Sequence, residues 1–287
     1  MAIAPLEFSR LTLPVIAAPM TSVSTPELVG AACAAGVVGA FPTSNPRSAS
    51  ELDEWLERIA AETASRSTSV RPGPVAANLI VHRSNQRLAD DLACIGAHGV
   101  DIAITSVGNP LPVLADLHAA GCRVLADVAS LAHAEKALAG GVDGLVLLSA
   151  GAGGNTGWAN PFAFARAVRR FYDGPLVLAG GISDGTSLWS AITLGYDLGY
   201  MGTKFIATPE SGASPEWKSA VVESSLDDIV LGVSPFGISA SLLASVGSAG
   251  HPVSGVTAEV PAKDVIEATA AEWHEARATT LANLLGR

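Results

Sequence analysis

Basic residues are scarce in this chain, and they are not clustered. The 287 residues include 17 Lys and Arg against 27 Asp and Glu, which gives a formal net charge of -10. No run of positive charge can therefore follow a nucleic-acid backbone or an anionic membrane surface. These absences argue against a nucleic-acid or membrane partner. We expect a small-molecule substrate, and homo-oligomerisation stays open.

Cysteine is also rare, and the three cysteines, Cys33, Cys94 and Cys122, are far apart in apolar stretches. Because there is no CxxC pair, we expect all three to pack in the core, and we expect no metal. The N-terminus, MAIAPLEFSR, lacks the basic and apolar regions of a secretory leader. The longest nearly apolar run, LVGAACAAGVVGAF, is too short to span a bilayer. The sequence thus predicts a soluble, cytoplasmic protein.

Apolar residues and glycine are abundant, at 49% hydrophobic residues and 29 glycines. Short apolar runs alternate with amphipathic stretches, a pattern typical of repeated strand and helix pairs. Eight runs predict strands, at 14–20, 37–43, 75–81, 100–107, 123–130, 142–149, 175–183 and 198–207. The stretches between them predict helices at 50–64, 86–97, 111–120, 131–140, 164–171 and 188–195. Several of these helices end on glycine, the expected C-cap residue, directly before the next strand.

Eight repeats with strongly apolar strands predict an α/β protein built as a closed (β/α)8 TIM barrel. The competing dinucleotide-binding fold needs a glycine fingerprint after the first strand, where APMTSVSTPE has none. We expect a single domain over 1–287, with the barrel at about 13–211 and a C-terminal extension at 212–287. Within the extension, residues 227–255 show no clear period and predict either a lid over the barrel mouth or a surface crossing. A final helix is predicted at 263–285.

The functional groups of a TIM barrel lie where its strands end, at the C-terminal face. By this rule the candidates include Ala18, Pro19 and Met20 after the first strand. Asn78 in the third strand and Asp127 in the fifth strand are further polar candidates. We therefore expect these residues to surround one site.

The seventh and eighth strands end in loops that are rich in glycine. Gly180 and Gly181 follow the seventh strand, and Gly202 and Thr203 follow the eighth. Bare backbone N–H groups and a hydroxyl at these two loops can converge on phosphate oxygens. Taken singly these glycines could be turn residues, but their occurrence at both strands favours a phosphate site.

Five segments carry a family resemblance: PVIAAPM, AANLIV, SAGAGGNTG, PLVLAGGISDG and LGYMGTKFIATPES. In this order and spacing, from about Leu13 to Ser211, they resemble the nitronate monooxygenase family, also called the 2-nitropropane dioxygenase family. The resemblance implies an oxidoreductase with FMN bound in a TIM barrel. By this resemblance, the residues beside the isoalloxazine ring and the ribityl chain are Ala18, Pro19, Met20 and Asn78. The residues around the phosphate are Gly180, Gly181, Gly202 and Thr203.

The glycine-rich turn departs from the family pattern at Asn155. Members that oxidise nitronates typically read A-G-G-H, and that histidine is their catalytic base. Here Asn155 follows Gly153 and Gly154, which lack the Cβ atoms that would keep the backbone away from a flavin ring. Asparagine does not titrate, so we expect Asn155 to orient the substrate by hydrogen bonds; the alternative is a turn residue that bonds its own backbone. Asp127 and His82 are secondary candidates for catalysis. The alternative for Asp127 is an acceptor of backbone or cofactor hydrogen bonds, and the alternative for His82 is an exposed loop residue without a catalytic role.

Three functions remain open at this stage. The first is FMN-dependent oxidation of alkyl nitronates, or of related small activated substrates, with O2. The second is flavin-dependent reduction of an enoyl or enone group, or isomerisation of its double bond. The third is non-catalytic binding of a flavin or a phosphorylated metabolite.

Overall fold

A computed structural model describes residues 8–66, 70–234, 236–244 and 246–286. Most of the N-terminal stretch in which we expected no leader lies outside these residues. Eight parallel strands close into a barrel, in which each strand pairs with the next along the chain and the eighth pairs with the first. The strands are β1 (Val15–Ala17), β2 (Val38–Pro42), β3 (Val75–Ile80), β4 (Ile102–Ser106), β5 (Arg123–Val128), β6 (Gly144–Leu148), β7 (Leu176–Ala179) and β8 (Leu198–Met201). The predicted TIM barrel is confirmed, as is each of its eight predicted strands.

Helices surround the barrel, and seven of those in the described ranges lie where the sequence predicts a helix. They are α1 (Pro26–Ala34), α2 (Ala49–Arg66), α3 (Leu88–Ala97), α4 (Leu111–Ala119), α5 (Leu131–Gly140), α6 (Pro161–Val168), α7 (Gly185–Leu194), α8 (Thr203–Ile206), α9 (Pro215–Glu223) and α10 (Ala262–Leu285). The glycine C-caps are confirmed after α5 and α7, where Gly141 and Gly195 have left-handed φ angles of 98° and 103°. Helix α1 was not predicted, because nearly all its residues are buried and it shows no amphipathic period.

The barrel interior is filled by alternate residues of each strand, as the period of two requires. The inward-facing apolar side chains are Ile16, Val38, Ala40, Ala76, Ile102, Ile104, Leu125, Val146, Leu148, Val177, Ala179 and Leu198. The same alternation continues toward the C-terminal end of the barrel. There the next inward positions carry polar side chains, which we call the inner polar ring: Asn78, Ser106, Asp127 and Tyr200.

The eighth strand is shorter than predicted. It ends at Met201, and Thr203–Ile206 form the one-turn helix α8 where residues 202–207 were expected to continue the strand. The Thr203 hydroxyl accepts a hydrogen bond of 3.0 Å from the N–H of Gly250. The chain is thus tied at this bend to the segment that follows the barrel.

Within the stretch 227–255, for which no period was found, the described residues include the strands of a small antiparallel sheet. Strand β9 (Ile229–Val233) pairs with β10 (Ser239–Leu243), and β10 pairs in turn with Gly247–Ser248. The far end of β10 pairs with Gly154–Asn155 from the glycine-rich turn after β6. We call these four segments the C-terminal sheet. It faces the C-terminal end of the barrel, which agrees with a lid over the barrel mouth and not with a surface crossing.

The final helix, α10, packs on the outside of the barrel against α7. The rings of Trp189 and Trp273 meet edge to face with centroids 5.3 Å apart, and Arg277 lies over both rings. Glu272 Oε2 accepts a hydrogen bond of 2.9 Å from the N–H of Gly185. The extension is therefore held to the barrel at the start of α7.

The cysteines are only partly where we expected them. Cys33 and Cys122 are buried, whereas Cys94 is half-buried on α3 near Asp53 and His98. Asp53 Oδ1 and His98 Nε2 lie 2.6 Å apart and pair with each other. Cys33 and Cys122 thus lie within the core, and Cys94 packs against the same core from its half-buried position. Within the described ranges, no helix has the length and apolar character needed to cross a bilayer.

Candidate active site

A cavity of about 730 Å³ opens at the C-terminal end of the barrel, within the range of cofactor sites. Barrel loops line one side of it, and the C-terminal sheet lines the other. All the predicted cofactor-binding residues line this cavity: Ala18, Pro19, Met20, Asn78, Gly153, Gly154, Gly180, Gly181, Gly202 and Thr203. Asn155 and Asp127 line it as well. These predicted residues come from six of the eight strand ends, and Ser44 after β2 and Ser106 at the end of β4 bring in the other two.

One corner of the cavity is formed by the loops after β7 and β8. Gly181 has a φ of +77°, and a Cβ on this residue would point into open space. Gly180, at φ +124°, packs so closely that its Cβ would lie 2.8 Å from Ser149 Oγ. The N–H groups of Gly181 and Thr203 meet no acceptor among the described residues. The buried Thr203 hydroxyl accepts from Gly250 and keeps its own proton to donate. Such a corner fits an anion such as a phosphate group.

The side chains of Asn45 and Ser24 hold the loop after β1 in place by hydrogen bonds. Asn45 Nδ2 donates hydrogen bonds of 3.1 and 3.0 Å to the carbonyls of Met20 and Ser24. Asn45 Oδ1 accepts from the N–H of Ser22, which has a left-handed φ of 63°. Gly202 lies against this loop, since a Cβ there would come within 3.2 Å of Met20 Sδ. The wall formed by Ala18 to Met20 is therefore held by side-chain hydrogen bonds and by close packing against Gly202.

The inner polar ring forms the floor of the cavity. Asn78 Nδ2 donates to the carbonyl of Ile104 at 3.1 Å and to Ser106 Oγ at 3.3 Å, so this half of the ring is internally paired. The other half is not paired: Asp127 Oδ1 and the Tyr200 hydroxyl are buried with no hydrogen-bond partner in the described structure. Burial raises the pKa of Asp127 to about 7. Burial, and then the charge of Asp127, raises the pKa of Tyr200 well above its usual value.

The glycine-rich turn holds Asn155 at the opposite side of the cavity. Asn155 lies opposite Ala240 in the C-terminal sheet, and the N–H of Thr156 donates to the carbonyl of Ser239 at 2.9 Å. The Thr156 hydroxyl donates to the carbonyl of Ser149 at 3.0 Å, which braces the turn from below. The Asn155 amide itself makes no hydrogen bond with any described residue. Its donor and acceptor are therefore available to a ligand.

His82 lies outside the set of residues that line the cavity. Its Nδ1 is 2.8 Å from Ser84 Oγ, and its ring meets the ring of Phe236 with centroids 6.4 Å apart. Phe236 does line the cavity, so His82 stands behind the rim. The structure thus separates His82 from the other two catalytic candidates.

Several lining residues were not predicted. Tyr200 had a usable signal, since it is the inward position of the last barrel strand by the period of two. Trp217, Phe236 and Leu242 come from α9 and the C-terminal sheet, whose sequence shows no period. The indole Nε1 of Trp217 is a third buried polar atom without a partner among the described residues. Unpaired polar atoms around a cavity of this size are typical of a ligand site.

Comparisons with known proteins agree with this geometry. The nitronate monooxygenase family model matches residues 4–246. A nitronate monooxygenase of Paraburkholderia phytofirmans is 27% identical over 73% of this chain and 67% of its own length. An octahydro-indene-carboxyl-CoA dehydrogenase of Rhodococcus jostii is 28% identical over 75% of this chain and 58% of its own length. The chain thus spans about three fifths to two thirds of these relatives.

The structure of a nitroalkane oxidase from Streptomyces ansochromogenes superposes with a TM-score of 0.84 at 23% identity, covering 95% of this chain and 99% of that one. At 23% identity this superposition shows the fold alone. The family match, in contrast, covers most of the sequence and every loop of the cavity before Ser248. The chain therefore belongs to the nitronate monooxygenase family of oxidoreductase enzymes.

Proposed function

We propose that this protein is an FMN-dependent oxidoreductase that oxidises alkyl nitronates, or related small activated substrates, with O2. The observation that carries the proposal is the cavity, in which glycine-rich loops suited to an anion, the apolar wall of Ala18 to Met20 and unpaired polar atoms face one space. The phosphate fits the corner of Gly180, Gly181, Gly202 and Thr203. The ring system fits between the wall of Ala18 to Met20, the inner polar ring and Gly153–Gly154. When bound, FMN supplies the two-electron chemistry between the organic substrate and O2.

Asn155 is the residue that we assign to the substrate. Its amide lies on the side formed by the C-terminal sheet and is free to donate to one substrate oxygen. A nitronate is already an anion, so no proton has to be removed before it is oxidised. An orienting amide is sufficient for such a substrate, whereas a neutral nitroalkane requires a base. Relatives with nitronate-oxidising activity typically carry a histidine here.

A second function is favoured by the chemistry of the cavity lining. Among its described residues there is no Lys, Arg or His, so no basic side chain lies near Asn155, and Asp127 is the only carboxyl group. Reduction of an enoyl or enone group, or isomerisation of its double bond, is compatible with such a site. The Rhodococcus jostii relative acts, by its name, on a carboxyl-CoA compound. A protein that binds a flavin or a phosphorylated metabolite without turnover is the third alternative.

The first test is the absorption spectrum of the purified protein, which we expect to be yellow with FMN that heat releases. Aerobic turnover of an alkyl nitronate is then compared with NAD(P)H oxidation in the presence of an enone. Nitronate turnover supports the first function, and NAD(P)H-dependent enone reduction replaces it with the second. Flavin binding with neither activity leaves the binder, and a colourless protein that takes up no added FMN overturns the proposal.

A further inference from the structure

Asp127 occupies a central place in the cavity floor. It is an inward-facing residue at the C-terminal end of β5, one strand away from Ser106 and two from Asn78. Among the described residues that line the cavity it is the only carboxyl group. Tyr200 is the only other titratable side chain among them. The remaining loops, from β1, β3, β4, β6 and β7 and from the C-terminal sheet, bring no described charged group to this space.

The polar groups around Asp127 are otherwise satisfied. Asn78 and Ser106 pair with each other, Ser149 Oγ donates to the carbonyl of Ala179 at 2.7 Å, and Thr203 accepts from Gly250. Within the inner polar ring, Asp127 Oδ1 and the Tyr200 hydroxyl are the exceptions, and both atoms are buried at the floor. Folding leaves buried polar atoms unpaired only rarely, and commonly where a ligand completes them. The two atoms therefore mark a contact that the protein makes with what the cavity holds.

The surroundings of Asp127 favour its neutral form. No cation faces it, and burial raises its pKa to about 7, so a large fraction of the carboxyl groups is protonated at neutral pH. A neutral carboxyl can donate a hydrogen bond, whereas a carboxylate can only accept one. A ligand that carries a phosphate would add negative charge to the same cavity, which disfavours the carboxylate further.

We propose that Asp127, in its protonated form, donates a hydrogen bond to an acceptor on the flavin ring system, with the Tyr200 hydroxyl as a second donor from the same floor. This inference rests on the proposed FMN dependence. It assigns to Asp127 the role of a cofactor-positioning proton donor and not that of a base acting on the substrate. It also couples FMN binding to the uptake of a proton by the protein above neutral pH.

The test is the dissociation constant of FMN and of riboflavin for the flavin-free protein between pH 6 and 8.5, measured by quenching of flavin fluorescence. Riboflavin lacks the phosphate, whose own ionisation lies near pH 6 and would otherwise overlap. For the wild type we expect the dissociation constant to rise above pH 7 by up to tenfold per pH unit. Asp127→Asn keeps a donor that does not titrate, so we expect a flat profile above pH 7 and an affinity at pH 6 within about threefold of the wild type.

Two further variants separate the donor from mere packing. Asp127→Leu removes the donor at similar volume, and we expect its affinity at pH 6 to fall by tenfold or more, with thermal unfolding of the flavin-free protein as the check on folding. Tyr200→Phe should weaken both flavins severalfold while keeping the pH dependence of the wild type. Calorimetry in two buffers of different ionisation enthalpy should detect uptake of nearly one proton on binding at pH 8 in the wild type and none in Asp127→Asn.

The outcomes distinguish this inference from the proposed function. Parallel pH profiles for the wild type and Asp127→Asn overturn the inference, and so does wild-type affinity that rises with pH, which would mean a carboxylate acceptor. Equal affinity of Asp127→Leu and the wild type overturns it as well. If no variant binds either flavin at any pH, the proposed function itself has failed.

Discussion

Replacing Asp127 with asparagine should stabilise the flavin-free protein, and more so as the pH rises. The unfolded chain loses this proton near pH 3.8, whereas the folded protein holds it up to about pH 7. The folded state thus binds the proton more tightly than the unfolded chain does. The free energy of unfolding therefore falls as the pH rises from about 4 to 7, and above pH 7 this loss of stability stays constant. A pKa difference of about three corresponds to about 4 kcal/mol, and water in the open cavity reduces this to about 2–4 kcal/mol at pH 8.

Urea unfolding of the flavin-free wild type and of Asp127→Asn at pH 6, 7 and 8 measures the difference in their free energies of unfolding. These pH values lie above the sequence pI of 5.0, where solubility is lowest. We expect the asparagine variant to be more stable at every pH, with the gap widening by about 1 kcal/mol from pH 6 to 8. Asn78→Asp would add a carboxyl to the same floor and serves as the opposite control, expected to lower stability toward high pH. A gap between wild type and Asp127→Asn that does not change with pH would refute the reasoning.

Three further predictions concern the rest of the cavity. Gly181→Val places a β-branched residue at a φ that it rarely adopts, and Thr203→Ala loses a contact of about 0.5–1.5 kcal/mol. Both variants should lower the affinity for FMN more than the affinity for riboflavin. An equal loss of affinity for the two ligands in a binding titration would assign these loops to the fold alone. Asn155→Ala should lower turnover while the FMN content stays near that of the wild type, and Asn155→His should introduce an ionisation between about pH 6 and 7 with neutral nitroalkanes; unchanged wild-type kinetics in the alanine variant would remove the orienting role. Gly247→Val would place its Cβ 2.4 Å from the ring of Trp217, so we expect a loss of about 1–3 kcal/mol and altered tryptophan fluorescence; a variant as stable as the wild type would show that the ring moves freely.

The barrel and much of its site could be derived from local pattern. Buried strands such as β6 read as continuous apolar runs, and glycine marks the ends of helices such as α5, because each feature follows from a few neighbouring residues. The rule that a TIM barrel builds its site at its strand ends then selects Ala18, Asn78 and Gly181, which the structure places around one cavity. The resemblance of five segments to one family added the cofactor as an expectation, and the family match confirms the family.

The C-terminal sheet could not be derived in this way. In β9 the exposed side chains include Val230, Leu231 and Val233. The strand therefore lacks the alternation of apolar and polar residues that predicts a half-buried strand. The pairing of Asn155 with Ala240 joins segments far apart in the chain, and no local pattern encodes such a contact. Only the folded chain therefore shows that the glycine-rich turn is an edge of this sheet.

The sequence by itself determined the eight apolar strands, the glycine-rich loops after β7 and β8 and the asparagine at position 155, because each is visible in a few neighbouring residues. The tertiary structure decided which polar groups are left unpaired. Asp127 and Tyr200 lie on strands β5 and β8, and they share the cavity floor only because the sheet closes and the period of two turns both inward. The closed barrel also buries Asp127 Oδ1 and the Tyr200 hydroxyl, and this burial raises the pKa of both groups. Burial and pairing are properties of the closed barrel as a whole, and no stretch of the sequence contains them.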